Sequence, residues 1–268
     1  MLAPITVLHV EDDSQFAALT RRGLEREAAS ITVETVADAN AAFDRIAADR
    51  PDCVVSDYQM PGRNGIEFLT DLRAEYPNLP FILYTSKGSE AVASDAISAG
   101  VTDYIQKDAT TEQYELLVRR IEQAVARRRA ERDYREIFEK VPAGLVVHDP
   151  ETGAIVDANR HFCERLGYDR EEVIGMTVGD FSAGEPPYEA ATGRNKIQEA
   201  ADGEPQRFTW RDQTSDGETF PVEVVLERTT IGGQERVLAF VRDLSGDEPN
   251  VADSPDRSAG FLSSPPHL

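Results

Sequence analysis

Acidic, hydroxyl and amino side chains follow four short apolar runs in the first half of the sequence. In chain order they are Glu11-Asp12-Asp13, Asp57, Thr85-Ser86 and Lys107. Three neighbouring carboxylates repel one another, so at neutral pH they either keep a proton or bind a cation. Mg²⁺ is a suitable cation, because it prefers oxygen ligands and combines one or two carboxylates with a phosphate oxygen. Thr85 and Lys107 would contact the other phosphoryl oxygens, and Asp57 is a candidate nucleophile.

The apolar runs alternate with helical patterns. The runs are Ile5–Val10, Ile31–Val36, Cys53–Ser56, Phe81–Tyr84 and Asp103–Gln106, and the helical patterns lie near residues 14–29, 39–48, 65–75, 89–99 and 111–129. Right-handed crossovers place helices on both faces of a parallel sheet, so this alternation predicts a doubly wound α/β domain. Ligands of such domains bind at the carboxyl ends of the strands, where the four groups would meet.

These residues resemble the receiver domain of two-component response regulators. The resemblance rests on Asp12-Asp13, on Asp57 followed by "MPGRNG", and on Thr85-Ser86 and Lys107, each at a predicted strand end. It implies a flavodoxin-like receiver domain over residues 1–126, with a sensor histidine kinase as partner. By the resemblance, Asp57 is the phosphoacceptor, and Thr85 and Lys107 contact the phosphoryl group. It also implies Mg²⁺ held by Asp12, Asp13, Asp57 and the backbone carbonyl of Gln59, with Thr85 and Tyr104 as the switch residues.

The sequence departs from the receiver pattern after Lys107. Asp108 stands where the family usually has proline, and a cis bond without proline costs about 2.5–4 kcal/mol, which leaves the orientation of Lys107 open. Each site residue also has an ordinary structural interpretation. Asp12 or Asp13 could cap a helix, Thr85 could close a turn, and Lys107 could be a solvated charge.

Residues 127–138 are predicted to form a helical linker. An apolar stripe of Tyr114, Leu117, Ile121 and Val125 ends before this polar segment. The segment is either a solvated rod or a homodimer contact between protomers, and the PAS-like part described next is a second candidate dimer surface.

The second half of the chain has five further strand patterns. They are Gly144–His148, Ala154–Ala158, Gln206–Gln213, Thr219–Arg228 and Val237–Arg242. Residues 159–181 form two helical patterns separated at Gly167. With "LGY", "EEVIG" and "FVRD", this order resembles PAS domains and implies an α+β domain over residues 139–245 with a five-stranded antiparallel sheet. Its ligand is unknown and a ligand is not required, because His148, His161 and Cys163 fit ordinary polar or core positions.

Composition limits the classes of partner. A net charge of -21 and a pI near 4.5 disfavour binding to nucleic acid, whose phosphates would be repelled. Dense acid with only four lysines resembles proteins of halophilic archaea, where molar salt shortens the screening length to roughly 3 Å; an ordinary acidic protein is the alternative. No apolar stretch approaches the ~18 residues of a membrane span, so we expect a cytoplasmic protein. Residues 246–268 are rich in Pro, Ser and Asp and are expected to be disordered.

These features predict a non-enzymatic signalling protein. It would accept phosphate on Asp57 and pass the state through the PAS-like part to a downstream signalling protein. One alternative is a small-molecule or light sensor with a regulatory or vestigial receiver. Another is an aspartate-dependent phosphatase of the haloacid dehalogenase type, which is disfavoured because "EDDSQ" lacks the required DxD spacing.

Overall fold

The computed structural model describes residues 3–86, 89–107 and 112–245. The chain divides into two compact units, Met1–Arg135 and Glu136–Leu268. This division falls inside the predicted linker, while the domain limits 1–126 and 139–245 stay predictions. The expectations for Asp108 and for the tail 246–268 lie outside the described residues.

The first unit is a five-stranded parallel sheet with flanking helices, a flavodoxin-like arrangement. Its strands are β1 (Ile5–Val10), β2 (Ile31–Val36), β3 (Cys53–Ser56), β4 (Phe81–Thr85) and β5 (Asp103–Gln106), in the spatial order β2-β1-β3-β4-β5. Its helices are α1 (Ser14–Glu27), α2 (Ala39–Ala48), α3 (Gly65–Glu75), α4 (Glu90–Ser98) and the start of α5 (Glu112–Lys140). All four strand pairings are parallel, which confirms the predicted fold class.

The two faces of this sheet bury separate apolar clusters. Side chains alternate along each strand, so Val7 and Leu8 point to opposite faces. Val7 belongs to the cluster that α1 and α5 complete with Leu24, Leu117 and Ile121. Leu8 belongs to the cluster that contains Phe68 of α3. Burial on both faces explains why β3 and β4 are mostly apolar and are buried along their whole length.

Helix α5 is a single helix of 29 residues. Its buried residues Leu117, Ile121 and Val125 agree with the predicted stripe. In the polar second half of the helix, residues 130–137 are all exposed. In that half, Arg127 pairs with Glu131 at 2.9 Å, and Arg129 pairs with Asp52 at 3.0 Å. These arginines are therefore engaged by nearby carboxylates, as expected for an acidic chain.

The second unit contains a five-stranded antiparallel sheet in the order β7-β6-β10-β9-β8. The strands are β6 (Gly144–His148), β7 (Ile155–Ala158), β8 (Gln206–Gln213), β9 (Thr219–Ile231) and β10 (Gln234–Asp243). The helices are α6 (Arg160–Leu166), α7 (Arg170–Val173) and α8 (Ala190–Ala201), with a 3-10 turn at Val178–Asp180. The sequence analysis did not predict α8. Helix α6 ends at Gly167, whose φ of 78° is in the left-handed region, as predicted for this position.

The length and polarity of the described helices determine whether any of them could span a membrane. Within residues 3–86, 89–107 and 112–245, none combines the length and the apolar character that crossing a bilayer requires.

Candidate functional site

Three carboxylates meet at the carboxyl edge of the parallel sheet. Glu11 and Asp12 follow β1, and Asp57 follows the neighbouring strand β3. One oxygen from each lies within 4.8 Å of the others. Glu11 and Asp57 are buried and Asp12 is exposed, so the group opens to solvent on one side. The predicted convergence of acids from the first and third strands is therefore present. The group contains Glu11 in place of the predicted Asp13.

Lys107 is the cation of this group. Its Nζ donates to Glu11 Oε2 at 2.6 Å and to Asp57 Oδ1 at 2.9 Å. The backbone is fixed as well, since Lys107 N donates to the carbonyl of Thr85 at 2.8 Å. The Lys107 side chain is 10% exposed. An amine from the end of β5 therefore reaches a carboxylate from β3, as the sequence analysis expected.

Asp13 lies outside the group of three carboxylates. It is the N-cap of α1, and its Oδ1 accepts hydrogen bonds from Gln15 N at 2.9 Å and Phe16 N at 3.1 Å. The structure therefore pairs Glu11 with Asp12, whereas the sequence analysis paired Asp12 with Asp13. Glu11, which was grouped with these acids from the sequence but was not assigned to the metal, is the first residue after β1. The capping preference of Asp before a helix was the signal that could have separated Asp13 from the group.

The loop after β3 fixes Asp57. Gln59 N donates to Asp57 Oδ2 at 2.9 Å, so both carboxylate oxygens have partners. Helix α3 begins at Gly65, close behind this loop, and a Cβ atom at that position would lie 2.3 Å from the carbonyl oxygen of Asp57. Only glycine allows this approach without displacing the backbone of Asp57. The exposed Gln59 remains a predicted carbonyl ligand.

The acids carry more charge than the lysine neutralises. Burial raises the pKa of Glu11, and the hydrogen bond and charge of Lys107 oppose that effect. His9 Nε2 lies 4.0 Å from Glu11 Oε2, but burial and the Lys107 charge lower the pKa of His9 to about 3. The imidazole is therefore neutral near pH 7 and adds no second cation. With all three carboxylates ionised, the group carries three negative charges and one positive charge, a net charge of -2.

This donor set fits a magnesium ion. All three candidate ligand atoms are carboxylate oxygens, which are the ligands that Mg²⁺ prefers, and the excess of two negative charges matches a divalent ion. The open side at Asp12 leaves room for water or phosphoryl oxygens. Glu11, Asp12 and Asp57 are the residues that would hold it.

The two predicted switch residues lie on neighbouring strands. Thr85 ends β4 and is 1% exposed. Tyr104 of β5 pairs with Leu83 of β4. The Tyr104 hydroxyl is buried, and none of the described residues donates a hydrogen bond to it or accepts one from it. Thr85 therefore lies at the end of the strand next to β3, Tyr104 lies on the following strand, and their switching role stays a prediction.

The second unit contains a small apolar cavity of about 40 Å³, part of which opens to solvent. Aromatic and aliphatic side chains line it, together with the buried polar residues His148 and Asp212. His148 Nδ1 lies 3.0 Å from the carbonyl oxygen of Gly153, and burial lowers its pKa to about 4. Asp212 is 3% exposed, and burial raises its pKa to about 7. Cys163 is part of the core, and His161 is exposed.

Comparisons with known proteins match each unit separately. Residues 7–119 match the family "Response regulator receiver domain", and residues 142–246 match the family "PAS domain". The response regulator MprA of Mycolicibacterium vanbaalenii is 37% identical over 116 residues, which are 43% of this chain and 48% of that protein. This chain therefore spans about half the length of that relative.

Two solved structures are similar to separate parts of the chain. The PAS domain of an HTR-like protein from Haloarcula marismortui is 29% identical, with a TM-score of 0.41, and covers 45% of this chain and 97% of that one. The receiver domain of the Francisella response regulator 1452 is 25% identical, with a TM-score of 0.42, and covers 46% and 98%. Together with the parallel and antiparallel sheets, the family matches identify a response regulator receiver domain followed by a PAS domain.

Proposed function

We propose that this protein is a response regulator that accepts a phosphoryl group on Asp57 from a sensor histidine kinase. The observation that carries the proposal is the position of the Asp57 carboxylate. It lies within 4.8 Å of the oxygens of Glu11 and Asp12, and 2.9 Å from the ammonium group of Lys107. A carboxylate between acidic oxygens and a fixed cation suits phosphoryl transfer, which depends on positioning and charge neutralisation.

In the proposed reaction, an Asp57 oxygen forms a bond to phosphorus as the nitrogen–phosphorus bond of the donor phosphohistidine breaks. The second Asp57 oxygen becomes the carbonyl oxygen of the acyl phosphate, and the electron pair of the broken bond stays on the histidine. Gln59 N and Lys107 hold the carboxylate in place, and Lys107 then contacts a phosphoryl oxygen. Mg²⁺, held by Glu11, Asp12 and Asp57, would neutralise charge on the phosphoryl oxygens. We include Glu11 in place of Asp13 because Asp13 caps α1.

We assign Thr85 and Tyr104 to the switch that follows. Phosphorylation adds negative charge and strong hydrogen-bond acceptors beside the end of β4. Thr85 would turn its hydroxyl towards the new oxygens, and Tyr104 would adjust in the space that Thr85 leaves. The resulting change at β4 and β5 would be relayed through the PAS domain to a partner protein. Thr85 lies two residues beyond Leu83, which is the partner of Tyr104 on the neighbouring strand, and this arrangement supports the assignment.

Intact-mass measurement after treatment with acetyl phosphate and Mg²⁺ tests the first step. The wild-type chain should gain one acid-labile phosphoryl group, and Asp57→Asn should gain none. Asp44→Asn is the matched control, because Asp44 is an exposed carboxylate on α2, away from the site. Equal phosphorylation of Asp57→Asn and wild type would contradict the assignment.

The PAS cavity supports a second candidate function, a sensor of a small molecule. Its apolar lining with two buried polar groups is the usual composition of ligand pockets. An absorbance spectrum of the purified chain and mass spectrometry of a solvent extract test this function. A colourless protein that releases no small molecule would contradict it.

We also propose a halophilic, cytoplasmic setting, supported by the net charge of -21.

A further inference from the structure

The ammonium group of Lys107 contacts aromatic rings as well as carboxylates. Its Nζ lies 4.2 Å from the centre of the Phe16 ring and 5.6 Å from the centre of the Tyr84 ring. The two ring centres are 6.0 Å apart, with an angle of 36° between the ring planes. Because the lysine side chain is only 10% exposed, the cation is largely desolvated, which strengthens its attraction to an aromatic face.

Phe16 is placed by the cap of α1. Its backbone N–H donates to Asp13 Oδ1 at 3.1 Å, and the N–H of Gln15 donates to the same oxygen. These bonds fix the first turn of the helix and therefore the direction in which the Phe16 side chain leaves it. The ring is partly buried and packs against the core cluster that contains Tyr84. Asp13 thus contributes to the site through the position of Phe16.

The ring contact does not depend on the state of Asp57. Lys107 has a flexible four-carbon stem, and among the described residues its ammonium group donates to Glu11 and Asp57. The contact with Asp57 must change when that carboxylate becomes an acyl phosphate, because its charge and one of its oxygens are then committed to phosphorus. The face of Phe16 can hold the ammonium group before and after this change.

We infer that Phe16 is a positioning residue that keeps the Lys107 ammonium group beside Asp57 in both the free and the phosphorylated protein. This inference rests on the proposed phosphorylation of Asp57 for its role in the reaction. The contact itself can be tested separately. Such a support is useful here because the residue after Lys107 is not the usual proline.

The kinetic test compares the initial rates of phosphorylation of full-length variants by acetyl phosphate at saturating Mg²⁺. Phe16→Leu keeps an apolar side chain without a ring and should slow phosphorylation roughly 2- to 30-fold, which is the range of a desolvated cation–π contact. Phe16→Tyr keeps the ring and should restore most of the rate. Phe43→Leu is the matched control, because Phe43 packs on the opposite face of the sheet and should leave the rate unchanged.

A double-mutant cycle with Lys107→Met separates positioning from a general structural effect. If Phe16 acts through the lysine, Phe16→Leu should have no further effect on the rate once Lys107 has lost its charge. An equal slowing by Phe16→Leu in both backgrounds would overturn the inference. A wild-type rate in Phe16→Leu would also overturn the inference. In that case Asp57 is still phosphorylated normally, so the proposed function would remain intact.

Lysine NMR tests the contact without any phosphorylation. The chain has four lysines, so ε-carbon-labelled lysine gives four signals, and Lys107→Met identifies that of Lys107. The ring current of Phe16 should shift the Lys107 signal, and Phe16→Leu should remove the shift. Lys196 Nζ lies 4.4 Å from the centre of the Phe208 ring and serves as an internal control, which only Phe208→Leu should move. An unchanged Lys107 signal in Phe16→Leu would refute the contact, whatever the outcome of the phosphorylation assay.

Discussion

Replacing Asp212 by asparagine should stabilise the PAS domain at neutral pH but not at acidic pH. The Asp212 carboxyl is 3% exposed, and burial disfavours its charged form more than the nearby charge of Arg165 favours it. Burial raises its pKa from the ordinary value of 3.8 to about 7. Between these values the unfolded chain loses the proton and the folded domain keeps it. The folded state therefore binds more protons, and the contribution of Asp212 to the stability of the domain falls as the pH rises from about 4 to about 7.

The size of the effect follows from the pKa difference. A shift from 3.8 to about 7 corresponds to about 4 kcal/mol at 1.36 kcal/mol per unit. We define the gain as the free energy of unfolding of Asp212→Asn minus that of wild type. This gain should rise by about 4 kcal/mol between pH 4 and pH 7.5 and then level off. Any change in hydrogen bonding caused by the amide adds a constant, because the amide does not titrate.

Urea unfolding followed by tryptophan fluorescence measures this gain. Trp210 is the single tryptophan of the chain and lies on β8 with Asp212, so its emission reports the unfolding of this domain. Glu227→Gln removes an exposed carboxylate from β9 and is the matched control. A gain for Asp212→Asn that changes by less than about 1 kcal/mol over this range would refute the reasoning.

Three further predictions concern other residues of the two domains. Glu11→Gln and Asp12→Asn should each raise the Mg²⁺ concentration needed for half-maximal phosphorylation, whereas Asp13→Asn, which can still cap α1, should change it little. An increase for Asp13→Asn that exceeds the one for Glu11→Gln would restore the Asp12-Asp13 assignment. Gly65→Ala should lower the stability of the receiver domain by about 1–3 kcal/mol, because the added Cβ meets the Asp57 carbonyl, and hydrogen exchange of the core amides measures this loss. Gly62→Asn is the control and should cost less, because there is open space around Gly62. The pKa of His148 is lowered from 6.5 to about 4, so the free energy of unfolding of wild type minus that of His148→Asn should fall by about 3 kcal/mol as the pH falls from about 6.5 to about 4. Urea titrations measure this difference, and a difference that stays constant over the interval would contradict the assignment.

The opposite trends of Asp212 and His148 have a joint consequence. As the pH rises from about 4 to about 6.5, the buried carboxyl lowers the stability of the PAS domain and the buried imidazole raises it. The two contributions therefore largely cancel in wild type. The double variant should also show a flat pH dependence over this interval, whereas each single variant should show a slope. Two parallel slopes in the single variants would contradict the assignment of opposite signs.

The α/β fold class and the placement of Asp57 and Lys107 at one edge of the sheet followed from sequence alone. Alternating apolar runs and helical patterns leave few topologies, because crossovers between parallel strands are right-handed. The residue that follows a buried strand must then lie at the edge of the sheet, where backbone geometry brings neighbouring strand ends together. The prediction that Asp57 and Lys107 lie close together needed no knowledge of side-chain conformation.

The acid pair and helix α8 were decided by tertiary structure. Whether Glu11 or Asp13 joins Asp12 depends on where β1 ends and α1 begins, and a shift of one residue turns a ligand into a helix cap. Helix α8 has a weak apolar pattern that includes a glycine, so its sequence gave little helical signal. A Cβ at Gly193 would lie 2.7 Å from Val178 Cγ1, so this glycine permits close packing against the 3-10 turn.

Contacts between residues distant in sequence were likewise settled only by the folded chain. Composition shows that Phe16, Lys107 and Asp212 are present, but not that the first two touch or that the third is buried. The physical reason is that the spacing of residues along a chain fixes secondary structure and strand direction. Distances of a few ångströms between side chains, and the pKa values that depend on them, arise only when the elements pack.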